Sequence, residues 1–200
     1  HIMATAKHFI GDGGTFKGID KGDTRISEGG LKNIHGTPYY SAFEACVQSV
    51  MASFNSWNGV KMHGHEYLLT DVLRDQMGFN GLVVGDWNGH GEVPGCTNAN
   101  CPESLNAGVD IYMAPDEWKE LYTNTVRAVK SGDISEDRLD DAVRKILTVK
   151  DRLGMLDGRK PHEYENYVGN IEHRQLAREA VSKSLVPVSY THLRAHETCH

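Results

Sequence analysis

The sequence predicts an α/β fold built on a parallel sheet, and three observations support this prediction. Strand-like and helix-like segments alternate four times within the first 155 residues, which is the order of a parallel sheet with helical crossovers. Residues 81–87 (GLVVGDW) are almost continuously apolar, as in a strand buried on both faces. With 200 residues, of which 39% are hydrophobic, the chain can bury a sizeable core. A doubly wound sheet and a (β/α)8 barrel both fit this order, although four units cannot close an eight-stranded barrel.

The first unit begins with a strand predicted over residues 4–11 (ATAKHFIG). The glycine-rich stretch 11–36 that follows it predicts a long loop, and long ordered loops are commonly functional. Thr37 and Pro38 are a typical helix start, with a capping residue and then proline at the first helical position. The helix predicted there places Cys46 on its apolar face, and we expect this thiol in the core.

The next two units contain strands predicted over residues 50–57 and 81–87. Residues 65–77 between them predict an amphipathic helix, because apolar side chains recur on one face and a glycine follows. His63 and His65 stand just before this helix, and we interpret both as capping residues.

The last unit contains a short helix predicted over residues 102–107 and a strand over 108–115. Asp116 is expected to cap the helix that follows the strand. Ser135 and the acidic residues after it predict a strongly capped second helix that ends at a glycine. The first of these two helices is expected to turn six side chains inward: Trp118, Leu121, Tyr122, Thr125, Val126 and Val129.

The sequence divides into four parts. Residues 1–155 form the α/β domain, the polar stretch 156–170 is a predicted linker, and 171–187 predict one amphipathic helix that begins a second domain. Residues 188–198 resemble a translated sequencing adaptor, so we expect 188–200 to be an artefact and omit them from the fold. This removes four residues that would otherwise suggest a metal cluster: His192, His196, Cys199 and His200.

Composition excludes some partners and leaves the cysteines open. A net charge of −6 gives no electrostatic support for a nucleic-acid partner. No apolar run approaches the roughly 18 residues of a membrane helix. Cys96 and Cys101 lie in a polar loop and form either a small disulfide or two free thiols. We predict no metal site, because zinc would need a second pair of soft ligands nearby.

Polar and aromatic side chains lie where three of the predicted strands end. In a barrel these ends converge on one face, where the active site lies. A cation, an imidazole, a carboxylate and indole rings around one pocket suit a neutral, polyhydroxylated ligand. The residues are Lys7 and His8 on the first strand, Ser56 and Trp57 on the second, and Asp86 and Trp87 on the third.

Three motifs give the chain a family resemblance. Residues 7–15 (KHFIGDGGT), 50–59 (VMASFNSWNG) and 78–87 (GFNGLVVGDW) resemble glycoside hydrolase family 3, in its bacterial exo-β-glucanase/β-glucosidase branch. The resemblance runs in consistent order from about residue 4 to 186. It implies the C-terminal half of a (β/α)8 barrel, followed by the first helix of a truncated second domain. It also implies hydrolysis of terminal non-reducing β-D-glucosyl residues from β-glucans or β-glucosides, without a cofactor.

The resemblance implies a role for each site residue. Asp86 would be the nucleophile of a retaining mechanism with a covalent glycosyl-enzyme intermediate. A nearby cation at Lys7 would favour the ionised carboxylate. The other implied roles are hydroxyl binding by Lys7 and His8, a subsite lined by Met51, Phe54 and Trp87, and bracing of Lys7 and His8 by Asp12.

Retention requires a second carboxyl group as acid/base, and in this family it usually comes from the following domain. We therefore do not assign the role to Glu66, Glu92 or Glu103. We expect the chain to need the first half of the barrel and the second domain, and to be inactive or nearly so alone. The cysteine pair and the resemblance suggest a periplasmic or secreted enzyme.

Three alternatives stay open. A carbohydrate-binding module would keep the pocket without the acid/base. A β-N-acetylglucosaminidase of the same family would carry a His-Asp pair in the loop after the first strand, but His35 has no aspartate beside it in that pattern. A metal-dependent α/β enzyme would use His63, His65 and the cysteines, which lie on different loops without ligand spacing.

Overall fold

The structure, a computed structural model, describes residues 2–158 and 167–186. The chain separates into two compact units, His1–Arg159 and Lys160–His200. The segment 188–200 and the middle of the predicted linker, 159–166, lie outside the described residues. The predicted domain boundaries stay predictions.

Two sheets organise the first unit. The larger is parallel throughout, with strand order β1-β3-β6-β7, and this confirms the predicted α/β fold. The smaller is a three-stranded sheet of order β2-β4-β5. The strands are β1 (Thr5–Phe9), β2 (Asp23–Thr24), β3 (Ser49–Ala52), β4 (Ser56–Trp57), β5 (Val60–Lys61), β6 (Leu82–Trp87) and β7 (Ile111–Met113).

Helices and short turns connect these strands. The α-helices are α1 (Glu28–Gly30), α2 (Thr37–Glu44), α3 (Pro102–Asn106), α4 (Trp118–Ser131) and α5 (Glu136–Arg152), with α6 (Ile171–Ser184) in the second unit. Two segments are π-helical, Leu31–Gly36 and Tyr67–Gln76. Four 3-10 turns are Asp12–Gly14, Phe16–Gly18, Met62–Gly64 and Gly89–Glu92.

The two faces of the large sheet differ in burial. Val50 and Val83 are fully buried and pack with Leu69 of the π-helix in the main core. On the opposite face, Met51 and its register partner Val84 are only half-buried. Such a difference is expected where helices cover only one side of a barrel wall.

The first helical segment begins earlier than predicted. Ser27 caps it by accepting from the Gly30 N–H at 3.2 Å, so the end of the predicted loop 11–36 is helical and Thr37 is not the N-cap. In the π register the Asn33 carbonyl would accept from residue 38, a proline without an N–H. The hydroxyl of Thr37 donates to this carbonyl instead, at 2.8 Å, and the helix continues.

The strand predicted over 50–57 is two strands. β3 ends at Ala52, and Ser56 begins β4 in the small sheet, so the chain changes sheets within three residues. The prediction that Cys46 lies in the core is wrong: the helix ends at Glu44, and Cys46 is exposed with a left-handed φ of 60°.

The two helices after β7 meet the predictions unequally. Ser135 caps α5 as predicted, accepting from the Arg138 N–H at 3.1 Å. Asp116 does not cap α4, whose N-cap position is held by Glu117 without a side-chain hydrogen bond. The inward face of α4 carries Leu121 and Ala128. Three residues predicted to point inward are exposed: Trp118, Tyr122 and Val126.

The second unit contains α6. Asn170 caps this helix by accepting from the His173 N–H at 2.8 Å. In residues 2–158 and 167–186, no helix combines the length and the apolar character that crossing a bilayer requires.

Candidate active site

The centre of the site is the carboxyl end of β6, where Asp86 and Trp87 lie. The Asp86 side chain is 15% exposed, and its Oδ1 accepts from the Trp87 backbone N–H at 2.7 Å. Trp87 follows Asp86 directly in the chain and is 59% exposed. An exposed indole offers a flat apolar surface to a ligand.

β1 brings His8 to the same carboxylate. The His8 Nε2 is 3.3 Å from Asp86 Oδ2, and its Nδ1 is 3.2 Å from Asp12 Oδ2. The imidazole therefore bridges two carboxylates, one on β6 and one in the turn after β1. The Lys7–His8 and Phe9–Ile10 peptide bonds are cis.

Lys7, which precedes His8 on β1, is exposed and lines a cavity of about 480 Å³ together with His8 and Asp12. Among the described residues, Lys7 forms no ion pair with Asp86, and the expected effect of a nearby Lys7 cation on the carboxylate stays a prediction. His8 is the β1 residue whose side chain contacts Asp86.

Met51 and Phe54 occupy different positions. Met51 pairs with Val84, which precedes Asp86 by two positions in β6. Both Met51 and Val84 are half-buried on the open face of the sheet. The Phe54 ring lies beneath the Lys21 ammonium, with Nζ 4.4 Å from the ring centroid, and its centroid is 6.0 Å from that of His63. Phe54 therefore lies next to His63, which in turn contacts the Asp86 backbone.

His63 is the site residue that the sequence analysis missed. It is buried, and its Nε2 accepts from the Asp86 backbone N–H at 2.8 Å, so it does not cap the helix. Burial lowers the pKa of His63 to about 4, although the nearby Asp86 charge acts in the opposite direction. His65 does accept from the Leu68 N–H, at 3.4 Å, as a cap would.

Glu92, at the end of the turn after β6, pairs with Lys21, which precedes β2, and with Lys61 of β5. Its carboxylate accepts from Lys21 Nζ at 2.6 Å and from Lys61 Nζ at 3.1 Å. Burial acts to raise the pKa of Glu92, but the two lysines outweigh it and the pKa is lowered. A general acid needs a raised pKa, so this environment disfavours Glu92 as the proton donor.

The loop after β6 is closed by a disulfide between Cys96 and Cys101. Glu103 lies beside the two sulfur atoms, and these are the three side chains that come close enough to hold an ion in the described part of the chain. Sulfurs joined in a disulfide are not thiolates, which are the form that binds a metal. The Nε2 atom of His63 already accepts the Asp86 N–H and is not available as a metal ligand. The disulfide and this hydrogen bond therefore argue against the metal-dependent enzyme.

Comparison with known proteins identifies the family. The family model described as "Glycosyl hydrolase family 3 N terminal domain" matches residues 1–149. The chain belongs to glycoside hydrolase family 3. The site at the carboxyl end of β6 therefore lies within the residues that this family model matches.

Relatives within family 3 agree with this assignment. A β-xylosidase of Formosa agariphila is 36% identical over 93% of this chain and 28% of its own length. A periplasmic β-glucosidase of Salmonella typhimurium is 34% identical over 92% of this chain and 25% of its own. An exo-1,3/1,4-β-glucanase from a Pseudoalteromonas species superposes with a TM-score of 0.86 at 52% identity, over 92% of this chain and 24% of that one. The chain thus spans about a quarter of these proteins.

Proposed function

We propose that this chain supplies the nucleophile of a retaining glycosidase that removes terminal β-D-glucosyl residues from β-glucans or β-glucosides. The observation that carries the proposal is the Asp86 carboxylate, held between His8 and the Trp87 N–H at the carboxyl end of a parallel strand. Family membership supports the reaction class. The 52% identity to an exo-1,3/1,4-β-glucanase favours a glucan over a xylan.

The reaction takes two displacements at the anomeric carbon. An Asp86 oxygen attacks C1 and forms an ester bond to the sugar, while the glycosidic C1–O bond breaks and an acid protonates the departing oxygen. Water then attacks C1 and gives its proton to the same acid/base group, while the ester bond to Asp86 breaks. The sugar is released with its original anomeric configuration.

The residues around Asp86 have roles in binding. His8 and Lys7 donate hydrogen bonds to hydroxyl groups of the sugar in the subsite that Asp86 borders. Trp87 stacks on the apolar face of the ring, Met51 and Phe54 complete the apolar wall, and Asp12 orients the His8 ring through its contact with Nδ1. A carboxyl outside this chain, roughly 5–5.5 Å from Asp86, supplies the acid/base function.

The disulfide and the periplasmic relative support an exported enzyme, because disulfides persist in oxidising compartments. The alternative of a carbohydrate-binding module has the same pocket and predicts binding without turnover.

The first test is covalent labelling of Asp86 in the full-length gene product that contains this chain. With 2-deoxy-2-fluoro-β-D-glucosyl fluoride the leaving group needs no protonation, so labelling reports on the nucleophile alone. We expect one fluoroglucosyl group on the peptide that contains Asp86, and none in Asp86→Asn. Asp71→Asn, an exposed helix carboxylate, is the matched control and should be labelled like the wild type.

Three results would contradict the proposal. These are a label on another residue, turnover of an aryl β-glucoside by Asp86→Asn, and release of the α-anomer from a β-glucoside. Glucose affinity without labelling or turnover would favour the binding module.

A further inference from the structure

The backbone amide of Asp86 has an unusual partner for a strand residue. β6 pairs with β7 through Val84 and Trp87, and the register shifts between these two residues. Within this irregular stretch, the Asp86 N–H donates to a side chain, His63 Nε2, at 2.8 Å. Because a buried amide without an acceptor is costly, the imidazole takes the place of a neighbouring strand at this residue.

The His63 imidazole packs closely against the backbone of Gly85 and Gly89, which lie before and after Asp86. A Cβ atom on Gly89 would lie 2.3 Å from the His63 ring, and one on Gly85 would lie 3.4 Å from it. The Phe54 ring lies nearby, with its centroid 6.0 Å from that of His63. The absence of a side chain at Gly89 therefore provides space that His63 occupies, whereas a Cβ at Gly85 would be in ordinary contact with the ring.

We propose that His63 is a positioning residue for Asp86, which fixes the direction of the carboxylate by accepting the backbone N–H of the same residue. The proposal rests on the proposed function, since it assigns His63 to the nucleophile of that reaction. The Asp86 carboxylate is already tied to the Trp87 N–H and to His8. A shift of its backbone would therefore turn the attacking oxygen away from C1.

The protonation state of His63 suits this role. Burial lowers its pKa to about 4, so the ring is neutral at ordinary working pH. A hydrogen bond with the Ser53 backbone engages the ring as well. A neutral imidazole donates at one nitrogen and accepts at the other. If the His63 ring donates to the Ser53 backbone, its Nε2 remains free to accept the Asp86 N–H.

The test separates binding from attack in the full-length gene product. Inactivation by 2-deoxy-2-fluoro-β-D-glucosyl fluoride gives a maximal rate, which reports attack by Asp86, and a half-saturation concentration, which reports binding. His63→Leu removes the acceptor, and His63→Gln keeps an oxygen near the position of Nε2. We expect His63→Leu to lower the maximal rate by about 10- to 100-fold, as for an ångström-scale misplacement, with half-saturation changed less than about threefold.

The paired variant decides whether the acceptor matters. His63→Gln should recover most of the maximal rate, since its oxygen can accept the Asp86 N–H. If His63→Leu does not fold, Gly89→Ala tests the same point, because its Cβ must displace the imidazole, and we expect a similar loss of rate. His65→Gln, on the adjacent turn and without a contact to Asp86 in the described structure, is the control and should react like the wild type.

Several outcomes overturn the proposal. A folded His63→Leu, or a folded Gly89→Ala, that reacts within about threefold of the wild-type rate excludes positioning. If folded His63→Gln reacts as slowly as His63→Leu, the loss of the acceptor for the Asp86 N–H is not the cause of the lower rate. If the wild type is labelled away from Asp86, the proposed function fails and this inference fails with it. Labelling at Asp86 with unchanged variants contradicts the inference alone.

Discussion

At the scale of single residues, the neutral state of His63 has a cost that depends on pH. In an unfolded chain a histidine has a pKa of about 6.5, whereas burial lowers that of folded His63 to about 4. Between these two values the unfolded state binds more protons than the folded state. The folded state is therefore destabilised as the pH falls through this range, and stability rises as the pH increases.

This difference predicts that His63 contributes to acid sensitivity. From pH 7 to pH 4, the free energy of unfolding of the wild type should fall by up to about 3 kcal/mol more than that of His63→Gln, which cannot titrate there. Urea denaturation of both proteins at pH 7, 5.5 and 4 measures the difference. Equal losses in both proteins would show that folding does not lower the pKa of His63.

The residues of the site differ in how far the sequence alone can predict them. Asp86, Trp87 and His8 stand at predicted strand ends, and such ends converge in a parallel fold. The local pattern around His63 indicates only a helix cap, because its partner lies 23 residues away, across a change of sheet. The available signal is glycine at 85 and 89, which indicates a close approach but does not say which side chain makes it.

At the scale of elements, one carboxylate joins four segments behind the site. Asp110 precedes β7, and its side chain is fully buried. It accepts from Arg74 of the π-helix at 2.5 Å, from Arg138 of α5 at 2.9 Å and from the Val83 N–H of β6 at 2.8 Å. Removing one partner of such a group leaves the other charges buried and unpaired.

We therefore expect Asp110→Ala to destabilise the protein strongly. The free energy of unfolding should fall by about 3–5 kcal/mol, the usual cost of an uncompensated buried charge. Asp141→Ala is the matched control, because Asp141 also pairs with Arg138 but is 42% exposed, and such pairs contribute about 1 kcal/mol or less. Chemical denaturation of the two variants compares them. A similar, small loss in both would show that Asp110 contributes no more than an exposed carboxylate.

The elements themselves are predictable to different degrees. The order of the four main strands follows from the alternation of apolar runs, and the Ser135 cap follows from local chemistry. The sequence misplaces the start of the first helix because Thr37 and Pro38 carry a typical start signal. The Thr37 hydroxyl supplies the hydrogen bond that Pro38 lacks, and this compensation is visible only in three dimensions.

At the scale of the whole unit, the open side of the large sheet is an apolar surface that no helix in the described part of the unit covers. Met51, Val84 and Ile111 are register neighbours across β3, β6 and β7, and all three are half-buried. β1 and β7 end the strand order, so each has one side without a strand neighbour among residues 2–158. Uncovered strand edges and apolar sheet faces promote association.

Residues 2–158 expressed on their own should therefore associate and unfold with low cooperativity. We expect oligomers at micromolar concentration in sedimentation velocity, and a broad thermal transition. Ile111→Lys places a charge on the open face and should reduce association. Val60→Lys changes an exposed apolar residue of the small sheet and should leave association unchanged. A monodisperse monomer with one sharp transition would show that the sheet is stable without a partner that covers its open face. Equal effects of the two lysine variants would show that the open face is not the surface that associates.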